Sequence, residues 1–389
     1  MRTDEGGIRA AAKNPLVVGY YGMQNVGDNA FCVVLDRALT EYWGAERPIF
    51  AAPPIVDLPA DRTRIDAKWY QDEHGLKNRV GSLLSRASLL REASMVLFGG
   101  GSVFREMGPL SEKRLYSLVS RASSRPLAAV GVSIGPFLDP ASRKRLTEVI
   151  KTIDYIGVRD QASVELLRQA GYTGQVVAAG DLAGLLPEAL GEELPPIARP
   201  AQGVRPRLGV TLLGIDYEAA GREAQQREDV LIEGVREFVR KEAADVTIFV
   251  FNTHPVHGDV RVSERLRQAL EGLCDVRVVT AADGVRATWQ AMKDCHVGLH
   301  MRLHGAIFSY VAGVPLVLVP YQPKCEHLLD ELGQPAQLRL GRVPDRPDAV
   351  VAALAASLDA GRLPALAREE FAHRARLNFT AAPWAVRRS

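Results

Sequence analysis

Short apolar or β-branched runs alternate with longer amphipathic stretches along nearly the whole chain. The alternation breaks once, at a proline-rich stretch, and then starts again. This constrains the fold more than any other feature, because repeated strand–helix–strand units build parallel sheets with helices packed on their faces. In the first half the strand candidates are Leu16–Tyr20, Met95–Phe98, Ala128–Ser133, Tyr155–Val158 and Val176–Ala178. Helix candidates between them are Asn29–Tyr42, Glu112–Ser123, Ala141–Lys151 and Gln161–Ala170, the last capped by Asp160 and stopped at Gly171. From Pro187 to Pro206 the periodicity vanishes. Pro195-Pro196-Ile197-Ala198-Arg199-Pro200 reads as an extended linker, since residues preceding proline avoid the helical region. Beyond it come strands at Leu208–Leu212, Val246–Phe251, Val276–Val279, His296–Gly298 and Leu316–Val319, with helices at Arg227–Ala243, Val260–Leu273, Val285–Lys293 and Leu303–Val311. A helical segment, Pro347–Leu358, leads to a basic tail.

The expected fold class is α/β: two Rossmann-like, doubly wound parallel-sheet domains facing across a cleft, an arrangement that takes ligands at the C-terminal ends of its strands. The boundaries fall at an N-terminal tail 1–14, a first domain 15–194, a linker 195–206, a second domain 207–360, and a segment 361–389 that packs back on the first domain. No repeat period of 20–50 residues supports a solenoid. With 48 basic against 46 acidic residues the net charge is +2, so no global field grips nucleic acid, and an anion must be bound by a few placed groups. Cys32, Cys274, Cys295 and Cys325 are scattered without paired spacing, which reads as four reduced thiols. The first 14 residues lack an apolar core, and no apolar run approaches the roughly 20 residues of a membrane span. The expectation is a soluble cytoplasmic protein.

Four glycine- or arginine-bearing segments lie at strand ends in the first half. Gly19-Tyr20-Tyr21-Gly22-Met23-Gln24-Asn25-Val26-Gly27-Asp28-Asn29-Ala30 opens a helix, whose first N–H groups and positive dipole end suit an anionic or polar ligand. Its spacing is neither the dinucleotide fingerprint nor a P-loop, and Asp28 is either the helix cap or a working carboxylate. Gly99-Gly100-Gly101-Ser102 marks a close backbone approach, to a ligand or to the other domain, with Ser102 as a hydrogen-bonding group or cap. Gly131…Gly135-Pro136 belongs to the same sheet edge. Arg159, between a strand end and a helix start, suits bidentate binding of carboxylate or phosphate, or else pairs with Asp160.

The densest segment is Leu299-His300-Met301-Arg302-Leu303-His304-Gly305, where a strand gives way to an almost uncharged helix. Arg302 and His304 at that helix start favour anion binding with an acid–base group at hand. Twenty residues beyond His304, Lys324 follows the next strand in Pro320-Tyr321-Gln322-Pro323-Lys324. His300 and His304 are four apart, as in a helical zinc pair, but no His-Glu-x-x-His is present and Arg302 opposes a dication, so no metal is expected. His254 and His257 lie in a second histidine-bearing strand end that either contacts a substrate or is solvated. No Gly-x-Ser-x-Gly or activated cysteine supports covalent catalysis.

Taken in order, Gly22…Asn25-Val26-Gly27-Asp28, Gly99-Gly100-Gly101, Gly131…Gly135-Pro136, Arg159-Asp160…Ser163, Met301-Arg302-Leu303-His304 and Tyr321-Gln322-Pro323-Lys324 resemble the polysaccharide pyruvyl transferase family over about residues 15 to 335. The resemblance implies a metal-independent transferase of GT-B-like architecture in the biosynthesis of polysaccharides or cell-envelope glycans. It moves the enolpyruvyl unit of phosphoenolpyruvate onto a sugar, forms a ketal across two hydroxyls and releases phosphate. Two departures stand out. Gln322 occupies a position where the family commonly has an acidic residue, and the stretch from Ile49 to Arg91 matches little, so acceptor specificity is expected there.

A carboxylate and a phosphate on one small frame need several cations. Arg159, Arg302 and Lys324 are the candidates, with Gly100, Gly101 and Ser102 also on the donor. Protonating the methylene carbon makes an oxocarbenium-like centre open to a hydroxyl. His304 is the candidate acid and Asp28 the candidate base. Gln24, Asn25, His254 and His257 are the candidate acceptor contacts. Phosphoenolpyruvate is a co-substrate, so no cofactor is expected. The partners are that donor and a sugar or lipid-linked glycan, with no nucleic acid. A homo-oligomer is open, and so is peripheral contact of the basic tail with the inner face of a membrane, though Arg387 and Arg388 are too few for stable anchoring. A nucleotide-sugar glycosyltransferase and an inactive glycan-binding relative are the rival readings.

Overall fold

The computed structural model describes residues 12–66, 76–105, 110–135, 137, 139–214, 221–255 and 258–386. Strands β1 (Pro15–Val18), β2 (Ile49–Phe50), β3 (Met95–Phe104), β4 (Leu127–Ile134), β5 (Tyr155–Val158) and β6 (Gln175–Ala178) alternate with helices α1 (Val26–Trp43), α2 (Leu76–Glu92), α3 (Leu110–Ser123), α4 (Pro140–Ile150) and α5 (Gln161–Gln169). After the short α6 (Leu186–Ala189) come β7 (Arg207–Thr211), α7 (Arg222–Glu242), β8 (Asp245–Val250), α8 (Val260–Ala269), β9 (Val276–Thr280), α9 (Gly284–Lys293), β10 (Val297–His300), α10 (Leu303–Val311), β11 (Leu316–Leu318), α11 (Pro323–Leu332), α12 (Pro347–Ala360) and α13 (Arg368–Thr380). Every strand pairing is parallel. β1, β5, β10 and β11 are buried end to end, which is why they read as unbroken apolar runs and not as alternating ones.

The chain forms two compact units. The first holds residues up to Met23, Asp28–Leu190 and the residues from Glu369 on. Its sheet runs β2-β1-β3-β4-β5-β6, so the winding reverses between β1 and β3. The second holds Gln24–Gly27 and Gly191–Arg368, with strand order β11-β10-β7-β8-β9 and its reversal between β7 and β10. Both are doubly wound α/β sheets of the expected class. At each reversal the crossovers leave toward opposite faces, and a crevice opens outside the strand ends.

The boundaries differ in detail from those read in the sequence. Gln24–Gly27 groups with the second unit because Val26 N–H donates to Phe251 O at 2.9 Å and Thr253 N–H to Gln24 O at 3.0 Å. The proline-rich stretch also belongs to the second unit: Ala198 N–H donates to Gly313 O at 2.8 Å, and Arg368 donates to Pro195 O at 2.7 Å. Between Ile49 and Arg91 the structure adds β2 and α2, neither of which had a periodic signature.

Two elements absent from the sequence reading matter most. β3 does not end before its glycines but runs through them, with a register shift against β4 between Gly101 and Phe104. The tail carries α13, which the first unit buries. Asn378 is fully buried there, and its Oδ1 accepts Gly131 N–H at 2.7 Å while Nδ2 donates to Gly180 O and Ala375 O, each at 2.9 Å. Gly131 sits at positive φ (63°) within an irregularity of β4, so its N–H turns away from the ladder and needs this side chain. Trp43 Nε1 donates to Phe379 O at 3.0 Å, and Trp43 packs on Trp384 with ring centroids 5.3 Å apart. Replacing Asn378 with Ala strands a buried donor and a buried acceptor. It should cost about 2 to 4 kcal/mol, read as a lowered denaturant midpoint with near-native secondary structure before the transition.

Candidate active site

In the first unit the sheet reversal gathers the turn after β1, the glycines of β3 and the end of β5. Tyr21, buried, donates its hydroxyl to Gly99 O and anchors the turn on β3. Asn29 Oδ1 accepts Gly22 N–H at 3.0 Å, and α1 starts at Val26, which puts Asp28 inside its first turn. The cap is Asn25, whose Oδ1 accepts Gly27 N–H at 3.0 Å, so the reading of Asp28 as the cap is set aside. The Asp28 carboxylate lies 3.8 Å from where a Cβ on Gly101 would stand, and Gly101 is at φ 76°. Gly100, also at positive φ, is buried beneath the Phe31 ring, and a side chain there would strike that ring. Its lack of a side chain serves the packing of α1 on β3.

Arg159 follows β5 and is 8% exposed. It pairs with Asp181 at 2.7 Å, donates Nε to Ser133 Oγ at 2.8 Å, and has Nη2 3.4 Å from Ser102 Oγ. Its carboxylate partner is therefore Asp181 and not the neighbouring Asp160. Asp160 caps α5 by accepting Ser163 N–H at 2.8 Å and also accepts Ser133 Oγ–H at 2.6 Å. Asp28 with Gly101, and Ser102 with Arg159, are thus brought together at one edge of the sheet, on the turn after β1, the second half of β3 and the end of β5.

In the second unit the reversal lies between the ends of β7 and β10. Arg302 stands just before α10 and His304 in its first turn, where backbone N–H groups lack intrahelical partners. The fork of Arg302 is held by Asp259, which is fully buried; Nε donates at 2.9 Å and Nη2 completes a bidentate pair. Gly27 lies against His304: any Cβ at residue 27 would overlap the imidazole at Nδ1. The same turn holds Gln24 at φ 56°, a left-handed conformation uncommon for a side-chain-bearing residue, with its Oε1 3.5 Å from Thr253 Oγ1. His254 is half-buried in the loop after β8, and its N–H donates to Asn252 Oδ1 at 2.9 Å. His257 lies outside the described residues. Lys324, expected at a strand end, lies in the first turn of α11, one helix start beyond β11, with Nζ 5.1 Å from the centre of the Tyr321 ring. Asn25, Gln24, Arg302 and His304 therefore cluster on this unit, with Lys324 beyond the adjacent strand.

His300 has a different character from His304. It is fully buried, 3.2 Å from Thr211 Oγ1, and burial pushes its pKa from 6.5 down to about 3. Among the described residues no group of three or more His, Cys, Asp or Glu could hold a metal ion, and no helix is long and apolar enough to cross a membrane. Burial also pushes the Cys295 thiol up to about 12.

Sequence reasoning passed over Asp181 and Asp259 as site residues. Each follows a glycine and stands just before a helical turn, which reads as a cap; their arginine partners are 22 and 43 residues away.

Solved structures similar to this chain share its fold. They include a UDP-N-acetylglucosamine 2-epimerase from Neisseria meningitidis (TM-score 0.60, 11% identity, 94% of this chain and 98% of that one) and a putative one from Listeria monocytogenes (TM-score 0.59, 13% identity, 96% and 94%). At such identities the likeness is one of fold, the GT-B-like type of two Rossmann-like domains. The family follows from sequence: the model of the polysaccharide pyruvyl transferases matches residues 25–323, and the chain belongs to that family. The match takes in Asp28, Arg159, Arg302 and His304 and stops one residue short of Lys324. The amylovoran biosynthesis protein AmsJ of Erwinia amylovora is 27% identical over 265 residues, covering 63% of this chain. The chain spans 61% of the length of that relative.

The buried His300 generates a pH dependence. Its folded pKa lies below the unfolded one, so the unfolded chain binds more protons between pH 6.5 and about 3. The stability it permits is complete above pH 6.5 and drains away as pH falls through that window. A His300→Gln variant should show a shallower loss of stability from pH 6.5 to 4 than the parent chain in urea titrations.

Proposed function

We propose that the protein transfers the enolpyruvyl unit of phosphoenolpyruvate to a sugar of a glycan or glycan precursor, forming a pyruvate ketal and releasing phosphate. The reading is carried by Arg302 and His304 at the start of α10, beside a sheet reversal and inside the segment matched by the family. A relative named for amylovoran biosynthesis supports a glycan as the acceptor class.

Arg302 and Lys324 bind the anionic groups of the donor in this scheme, with Arg159 and Ser102 as further donor contacts and Gly100 and Gly101 shaping their strand. His304 delivers a proton to the methylene carbon, leaving positive charge on the carbon that bears the phosphate ester. A sugar hydroxyl attacks that carbon and Asp28 takes its proton. A second hydroxyl then displaces phosphate, which leaves with its bridging oxygen and takes up that hydroxyl's proton, and the ketal closes. The reaction is redox-neutral and uses no cofactor. Gln24, Asn25, His254 and His257 are the proposed acceptor contacts. Synthesis on the cytoplasmic side of a membrane, with a lipid-linked glycan as substrate, fits this chemistry.

Phosphate release from phosphoenolpyruvate, measured over a panel of glycan acceptors, tests the reading. Release should match acceptor pyruvylation by mass, and His304→Gln should lower turnover roughly 10²- to 10⁴-fold. Asp28→Asn should abolish turnover and leave phosphoenolpyruvate binding intact. Consumption of a nucleotide sugar, with phosphoenolpyruvate untouched, would overturn the proposal.

A further inference from the structure

The geometry points to Asp259 as the positioning residue that sets the orientation of Arg302 and, through it, the affinity for the anionic donor. The inference rests on the proposed donor role of Arg302. Asp259 is 0% exposed, and each of its carboxylate oxygens takes one backbone and one guanidinium N–H. Oδ1 accepts Gly214 N–H at 3.0 Å together with Arg302 Nη2. Oδ2 accepts Asn252 N–H at 3.1 Å together with Arg302 Nε at 2.9 Å. Gly214 lies beyond the end of β7, Asn252 beyond β8 and Arg302 beyond β10, so one side chain gathers three neighbouring strand ends.

The turn that presents this carboxylate is built for the purpose. Asp259 N–H donates back to Asn252 O at 2.6 Å, and a side chain on Gly258 would strike the carbonyls of Asn252 and His254. With its Nε edge taken by Asp259, the guanidinium of Arg302 cannot swing. An arginine held this way meets a phosphate or carboxylate with little rotamer entropy left to lose. The paired charge also lets the cation sit half-buried before any ligand arrives.

A double-mutant cycle on phosphoenolpyruvate binding to the full chain, read by titration calorimetry, separates positioning from plain stability. Asp259→Asn should weaken binding about tenfold, the size of coupling expected within one network. In an Arg302→Gln background the same change should add less than about twofold, since its effect travels through Arg302. Losses that multiply, or Asp259→Asn binding like the parent, overturn the role. If thermal melts show that Asp259→Asn does not fold, Asp259→Glu keeps the charge on a longer arm. Weakened binding with a near-parental melting temperature then supports positioning, and parental binding overturns it. Failure of the parent chain to bind phosphoenolpyruvate overturns the donor reading itself and this inference with it.

Discussion

Parallel strands end on peptide groups that no neighbour pairs, and a sheet that winds both ways must leave one such set of ends uncovered. The second unit meets this constraint with a buried carboxylate. Asp259 satisfies two strand-end N–H groups and uses its remaining lone pairs to fix an arginine. The first unit has a parallel device: Asp181, buried, takes the guanidinium of Arg159 and also caps the turn that follows through Ala183 N–H. In each unit a cation carried beyond a strand end is neutral as a pair. Local charge is thereby concentrated without leaving an uncompensated ion in a dry place.

Much of the architecture was legible because burial on both faces leaves a plain trace in composition. α10 and the strands around it read directly from their apolar runs, and Asp160 and Gly171 marked the ends of α5. What failed to read depended on distance or irregularity. β3 keeps its ladder through three glycines because positive φ at Gly100 and Gly101 lets the strand bulge while α1 packs on it. A linear reading sees only a turn there. α13 lies among charged residues, and its buried face emerges only when Trp43, Tyr155 and the N–H of Gly131 come to meet it.

The site divides in the same way. His304 and Arg302 announced themselves through residue type and adjacency, and the family match includes both. Whether an arginine is held or loose depends on a carboxylate far off in sequence, so Asp259 and Asp181 carried no local signal. His300 shows the converse. Two residues from Arg302, it looked like part of the same cluster, yet it closes a buried strand and stays uncharged. Spacing alone cannot tell an imidazole that works from one that fills.

The route of the chain sets an order of assembly. Residues 377–384 complete the first unit, and they are synthesised after the whole of Gly191–Arg368. Until they emerge, Trp43 lacks Phe379 and Trp384, Tyr155 lacks the carbonyls of Leu377 and Asn378, and the bulge of β4 has no partner for its N–H. Domains made first usually fold first on the ribosome. Here the second unit, all of it synthesised by Arg368, can close while the first, begun earlier, waits with an unfinished sheet.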